Sequence, residues 1–168
     1  IVAGNTEGGG EEDFCIIKMG SDCDYGEATV LPNSGNDYIV PPGGEIWNTD
    51  RSVKAHVIVP NGVVLEIRGA SITNKVTIRF ADSKEAYNYK ERSVIGITVQ
   101  KGGRLVVTNA ILTGFDCDGT PKMWDGINAE GNPSLAQTNT NQGFASFYYS
   151  DILNARQGIV TAAVWCGQ

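Results

Sequence analysis

Three aspartates within ten residues, Asp116, Asp118 and Asp125, are the side chains of this sequence best suited to chemistry. Carboxylates grouped in this way can hold calcium through oxygen ligands, or act as acid and base in the cleavage of a sugar chain. The segment Asp116-Cys117-Asp118-Gly119 is too short and too poor in ligands for an EF-hand loop, and Asp and Gly at a corner are ordinary turn residues. No cofactor is therefore expected, calcium at the acid cluster being the one ion these residues would suit. The sole histidine, His56, stands in the alternating stretch Val53-Lys54-Ala55-His56-Val57-Ile58, where an outward strand position is the ordinary reading. Neither a GxSxG elbow nor a Cys-rich nucleophile context accompanies it, so nucleophilic catalysis is not expected. Gly8-Gly9-Gly10 has no strand before it or helix after it, and Gly102-Gly103 reads as a β corner, so neither is a phosphate loop.

Aromatic residues offer a second chemistry. Trp124, beside Asp125-Gly126, and Tyr87, Tyr89, Tyr148 and Tyr149 are of the type that stacks on sugar rings. Trp124 is expected in the core instead, whereas Tyr87 and Tyr89 lie in a charged stretch and are expected to be exposed. The candidate ligand-binding residues are thus Tyr87, Tyr89, Asp116, Asp118 and Asp125, with no catalytic residue and no metal site assigned.

The elements that must position these residues read as short strands. The chain has 168 residues, enough for one core, and is rich in Gly, Asn, Thr, Ser and Asp, a composition of turns and strands rather than long helices. Its net charge of -6 argues against a nucleic-acid partner, since phosphate contacts need clustered Lys and Arg. No apolar run is long enough for a membrane span. Residue 1 reads as a processed or trimmed start, any signal peptide having gone. Cys15, Cys23, Cys117 and Cys166 form no CxxC pair; an even count in such a chain suits disulfides in an oxidising compartment, and of the three pairings Cys15–Cys23 with Cys117–Cys166 is the one expected.

Residues 1–13 read as a flexible lead-in and residues 14–44 as a loop-rich, disulfide-stapled N-terminal cap, with Pro41-Pro42-Gly43-Gly44 as its boundary. From residue 45 to 168 the text is periodic. Residues 57–73 align without gaps on residues 97–113, with Val59/Val99, Gly62/Gly102, Leu65/Leu105, Ala70/Ala110 and Thr73/Thr113 identical. A fainter copy follows at the same offset: Gly143, Ala145, Phe147, Ser150 and Ile152 fall where Gly103, Leu105, Val107, Ala110 and Leu112 stand. A shorter phrase, Gly96-Ile97-Thr98-Val99, returns as Gly126-Ile127-Asn128-Ala129 and as Gly158-Ile159-Val160-Thr161.

Such self-similarity marks a repeat architecture, and short strands with Gly corners and no helical periodicity point to an all-β parallel β-helix, a solenoid. Leu65, Ile67, Leu105 and Val107 are its expected inward stackers. The offset of forty is then two rungs of about twenty, or one rung enlarged by an insertion, for which residues 81–92 are the expected site. An antiparallel sandwich is the competing fold.

The string Met123-Trp124-Asp125-Gly126-Ile127, with Gly131-Asn132-Pro133, Gln137, Gln142-Gly143 and Ser150-Asp151-Ile152-Leu153-Asn154-Ala155-Arg156-Gln157-Gly158-Ile159, resembles a phrase of large secreted β-helix proteins of Bacteroidetes, cargo of the type IX secretion system. Trp47-Asn48-Thr49-Asp50 and the strands after it resemble their lead-in rungs, so the likeness covers about residues 45–161. It implies a pectin-lyase-like, right-handed β-helix in a secreted or cell-surface protein, often adhesive. The chain departs from that pattern in lacking a C-terminal sorting domain and an evident cap. A fragment of a longer polypeptide is expected, or an open C-terminal end that docks on another chain. The function expected is a non-catalytic structural or adhesive module, with carbohydrate or another surface protein as partner. A lyase or glycoside hydrolase acting on acidic polysaccharide is the alternative, which would bring the three aspartates together with an Arg in an open groove; a carbohydrate-binding module would instead show exposed coplanar aromatics.

Overall fold

The computed structural model describes residues 29–35, 37–81, 95–117, 120–132, 134–136, 138 and 140–161. Alternation of β-branched and polar residues makes short strands, and Pro, Asn and Gly turn the chain between them. The strands are β1 (Asp37–Ile39), β2 (Glu45–Trp47), β3 (Arg51–Val53), β4 (His56–Val59), β5 (Val64–Arg68), β6 (Val76–Phe80), β7 (Ile97–Val99), β8 (Arg104–Thr108), β9 (Ala110–Gly114), β10 (Asp116–Cys117), β11 (Thr120–Pro121), β12 (Trp124–Ala129), β13 (Phe144–Tyr148), β14 (Asp151–Ile152) and β15 (Ala155–Thr161). Among the described residues there is no helix.

Three parallel sheets take up all strands but two. The first, of five strands, is ordered β1-β4-β7-β12-β15; the second is β2-β5-β8-β13 and the third β3-β6-β9-β14. Strands β10 and β11 form a separate antiparallel pair. The chain therefore visits the first, second and third sheets in a repeating cycle, and each pass is here a rung. Parallel neighbours one rung apart satisfy one another's backbone groups, so within these three sheets no pair of sequential strands needs a hairpin.

Register follows the repeat. Leu65 pairs with Leu105 and Ile67 with Val107, and Leu105 pairs in turn with Ala145 and Val107 with Phe147. The Gly-Ile phrase stacks likewise: Ile97 lies on Ile127 and Ile127 on Ile159. All four expected inward stackers, Leu65, Ile67, Leu105 and Val107, are fully buried. An antiparallel sandwich is excluded by this pairing.

The alignment of Ala70 and Thr73 on Ala110 and Thr113 does not hold. Strand β9 pairs instead with β6, Val76 opposite Ala110, while residues 69–75 bulge out as a turn closed by Ser71 and Asn74. The Ser71 hydroxyl accepts the Asn74 N–H at 3.1 Å, a local bond that competes with the sheet ladder. The offset of forty is one enlarged rung. Uninflated rungs advance by about twenty, as Glu45 to Leu65 shows. The forty from Leu65 to Leu105 arises from the turn at 69–75 and from the sixteen residues between Phe80 and Ile97, where only three separate Val53 from Val57. The forty from Leu105 to Ala145 arises from other places, the β10–β11 hairpin and residues 130–143. The insertion expected over 81–92 lies, Ala81 apart, outside the described residues, as do residues 1–28.

The core is the column of side chains on the sheets' inner faces. Trp124 belongs to it, fully buried, its ring stacked on Phe80 at 4.1 Å with planes 7° apart. Phe80 pairs with Gly114, which supplies no side chain, so the indole can settle over it. The indole Nε1 donates to the Leu153 carbonyl at 2.9 Å, which satisfies the one polar atom this ring takes inside.

Several glycines are required by the stacking, Gly96 and Gly126 among them. A Cβ on Gly96 would meet the Gly126 carbonyl oxygen at 2.6 Å, and one on Gly126, whose φ is 93°, would run into the Gln157 carbonyl of the next rung. Among the described residues tight corners also put three non-glycine residues at positive φ: Asn109 (50°), Tyr149 (50°) and Asn154 (52°). Asn enters this region readily, an aromatic residue only under strain.

Trp124→Ala is expected to lower unfolding free energy by about 3–5 kcal/mol, and Leu105→Ala by about 2–5 kcal/mol, in urea titrations followed by circular dichroism. Tyr149→Asn, at an exposed site, is expected to raise it by roughly 1 kcal/mol by removing left-handed strain. A Tyr149→Asn variant less stable than the parent would contradict that account of the corner.

Candidate functional site

The sequence candidates separate in space. Asp125 lies in β12 and Asp116 in the β10–β11 hairpin, where it is exposed and opposite Pro121. Asp118, Tyr87 and Tyr89 lie outside the described residues. So do Cys15, Cys23 and Cys166, and with them both expected disulfides. Among the described residues no three His, Cys, Asp or Glu side chains are grouped so as to hold a metal ion.

Asp125 is the best placed of them. Trp124 points inward, so Asp125, the next residue, emerges on the outer face of the five-stranded sheet. β15 runs beside it with Trp124 opposite Ala155, which brings Arg156 alongside. The Arg156 Nε lies 3.8 Å from the Asp125 Oδ1, with the two side chains only 21% and 14% exposed. Partial burial makes this pair less screened than a surface ion pair.

On the same face, one strand beyond Gly96, stands His56. Asp37 pairs with His56 across β1 and β4, and the His56 Nε2 shares a hydrogen bond of 2.9 Å with the Thr98 hydroxyl. The His56 Nδ1 is buried without a partner. Burial pushes the imidazole below its ordinary 6.5, against the pull of the Asp37 and Asp125 carboxylates, which favour the charged form. The outer face thus carries Asp37, His56, Thr98, Asp125 and Arg156 around the bare backbone of Gly96. At neutral pH its histidine is neutral and its one arginine is matched by a carboxylate. Such a patch can accept and donate hydrogen bonds to a polar ligand, while the two nitrogens of His56 are taken up, one by burial and the other by Thr98.

A concavity of about 310 Å³ opens between residues 129–131, residues 142–145 and β15, lined by Glu130, Gln142, Phe144, Ala145, Ile159 and Thr161 among others. The Arg104 guanidinium lies 5.4 Å from the centre of the Phe144 ring. Nearby on the same rung Tyr148 and Tyr149 are 55% and 74% exposed. The sequence reading had singled out neither Arg156 nor Thr98. The signal was present in the recurring Gly-Ile phrase, whose stacking fixes what lies beside Asp125.

No family model, curated protein or solved structure matches this chain. No helix among the described residues is long and apolar enough to cross a membrane.

His56 is the only histidine, so its titration can be followed by NMR without assignment, and its midpoint is expected below 6.5. Because the folded value is depressed, the neutral imidazole contributes stability that is present above 6.5 and is lost as pH falls through the folded value. His56→Gln is expected to flatten the loss of stability from neutral pH to below 6.5. A parent and variant that lose stability in parallel across that window would refute the buried neutral imidazole.

Proposed function

We propose that this chain is a right-handed parallel β-helix that serves as a non-catalytic structural or adhesive module of an extracellular protein. The observation that carries this reading is the repeated cycle through three parallel sheets, whose ladders keep one register throughout but for a single shift between Gly126 and Ile127 where β12 meets β15, the arrangement of a stiff spacer whose corners are free to vary. Right-handedness follows from the general rule for parallel crossover connections. The resemblance of residues 45–161 to secreted Bacteroidetes β-helix proteins supports placement at a cell surface or in the medium, and the disulfides Cys15–Cys23 and Cys117–Cys166 belong to the same reading. Carbohydrate or another surface protein is the partner class.

One observation favours a second reading, cleavage of acidic polysaccharide. Asp125, Arg156 and His56 share one outer face, and a carboxylate, a cation and a weak base are the groups such a reaction would employ. Against it, Asp125 is held by Arg156 and Asp116 stands in a separate hairpin.

Incubation with pectate and alginate separates the two. The module reading expects no unsaturated or reducing ends above a blank; release of either, abolished by Asp125→Asn, would establish the enzyme in its place. Thiol titration of the unreduced, denatured chain tests the compartment: no free thiol is expected, and four would remove the case for an oxidising environment.

A further inference from the structure

The corner between the first and second sheets is built in the same way on two successive rungs. Residues 60–63 form a type II turn closed by the Val63 N–H, which donates to the Pro60 carbonyl at 3.1 Å; residues 100–103 form another, closed by the Gly103 N–H on the Gln100 carbonyl at 2.8 Å. The third residue of each is a glycine at positive φ, Gly62 at 74° and Gly102 at 79°, as this turn requires. A second set of bonds runs along the stack: the Gly62 N–H donates to the Gly102 carbonyl, and the Gly102 N–H to the Gln142 carbonyl, each at 3.0 Å. Four residues separate Val59 from Val64 and four separate Val99 from Arg104, and the strands on both sides pair in register, so this corner has no slack.

Asn61-Gly62 is the sole Asn-Gly step in the sequence. A glycine leaves its own peptide nitrogen unhindered, so this is the step most open to attack of that nitrogen on the asparagine side chain. In that reaction the Gly62 N–H gives its proton to hydroxide, the nitrogen bonds to the Asn61 Cγ, and the Cγ–Nδ2 bond breaks, the departing nitrogen taking a proton from water and leaving as ammonia. Water then opens the cyclic imide at either carbonyl to give aspartate or isoaspartate, and nothing is oxidised or reduced. In the fold the attacking nitrogen is engaged, its N–H held by the Gly102 carbonyl. The Asn61 side chain is exposed and lies over Gly102, its Oδ1 in the place a Cβ there would take. Asn33, followed by Ser34, is tied down by its own amide, whose Nδ2 donates to the Ile39 carbonyl at 2.9 Å and whose Oδ1 accepts the Ile39 N–H at 2.7 Å. Asn61 has no such side-chain bond among the described residues and depends on the backbone of the next rung.

From this arrangement we propose that Asn61-Gly62 is a self-modification site guarded by the stack: intact while the rungs lie on one another, it cyclises once the corner opens, and the isoaspartate formed bars the chain from returning to register. Isoaspartate routes the backbone through the former side chain and so adds a carbon to a connection whose two ends are fixed by pairing with the next rung. Its free carboxylate also comes to stand against the Gly102 backbone, in a place now filled by a neutral amide. A prolonged opening is thereby made irreversible, with water as the only co-reactant. This inference rests on neither functional reading and survives the failure of both.

Peptide mapping by mass spectrometry, on the intact chain incubated at mildly alkaline pH either folded or in urea, is the test. The peptide containing Asn61 is expected to deamidate roughly tenfold or more slowly in the folded chain, where attack must wait for the loss of backbone hydrogen bonds. Gly102→Ala, whose added Cβ meets the Asn61 side chain, is expected to loosen the corner and bring the folded rate toward that in urea. On dilution from urea, the fraction of parent chain that regains its circular dichroism is expected to fall as isoaspartate at residue 61 rises. Asn61→Gln, whose longer side chain closes such a ring far more slowly, is expected to keep its capacity to refold over the same incubation. Equal rates in the folded chain and in urea, an Asn61 that stays unmodified in urea, a Gly102→Ala chain as protected as the parent, isoaspartate-bearing chains that refold in full, or an Asn61→Gln chain that loses refolding as fast as the parent would each overturn the proposal.

Discussion

Every feature of this molecule answers to one constraint: strands of successive rungs lie parallel and in register, so each inner side chain must fit directly on the ones above and below it. A column such as Leu65, Leu105 and Ala145 is a single packing problem shared by three rungs. Dispersion between stacked branched side chains and removal of their surface from water supply the cohesion, while the backbone ladders pair the polar groups of the strands inside each sheet. Where a column lacks a side chain, a neighbour fills the gap: Gly114 leaves room, and Trp124 lies on Phe80 in that space. Where two backbones approach closely, as at Gly96 and Gly126, no Cβ is tolerated.

The constraint binds only the inner half of each strand. Corners are free to lengthen, and the spacing between paired strands shows that they do so in different places on successive rungs: at the turn of residues 69–75, between Phe80 and Ile97, between Gly114 and Trp124, and between Ala129 and Phe144. Outer faces are free to carry polar groups, and the face around Gly96 gathers Asp37, His56, Thr98, Asp125 and Arg156 because neighbouring strands bring together residues far apart in the chain. The inner ladder thus sets where side chains on its outside stand.

That division explains what could be read from the sequence. The Val, Ile and Leu columns and the thrice-repeated Gly-Ile phrase follow directly from stacking, so Leu65, Ile67, Leu105, Val107 and Trp124 are legible as core. The turn at 69–75 was not, because Ala70 and Thr73 match Ala110 and Thr113 in kind; only the Ser71 and Asn74 hydrogen bonds, a local effect, reveal that β6 begins six residues further on. An equal offset of forty also concealed that two rungs reach it by different insertions. Glu45 and Arg51 on the inner face break the apolar pattern, and only pairing shows which way they point. The acid cluster was legible as residues but not as a site: Asp116 and Asp125 are close in sequence, yet a hairpin carries one away while Arg156 holds the other.

Parallel pairing has one further consequence, metrical rather than energetic. Neighbouring strands are separated by about 4.8 Å whatever their sequence. The five strands of the first sheet therefore measure roughly 19 Å along the stack, and groups displayed at equivalent corners are separated by whole multiples of that step. Lengthening a corner moves its residues outward but cannot change their height. The molecule is graduated like a ruler, and a repeating ligand or surface can engage several of its corners at once only if its own period is commensurate with the marks.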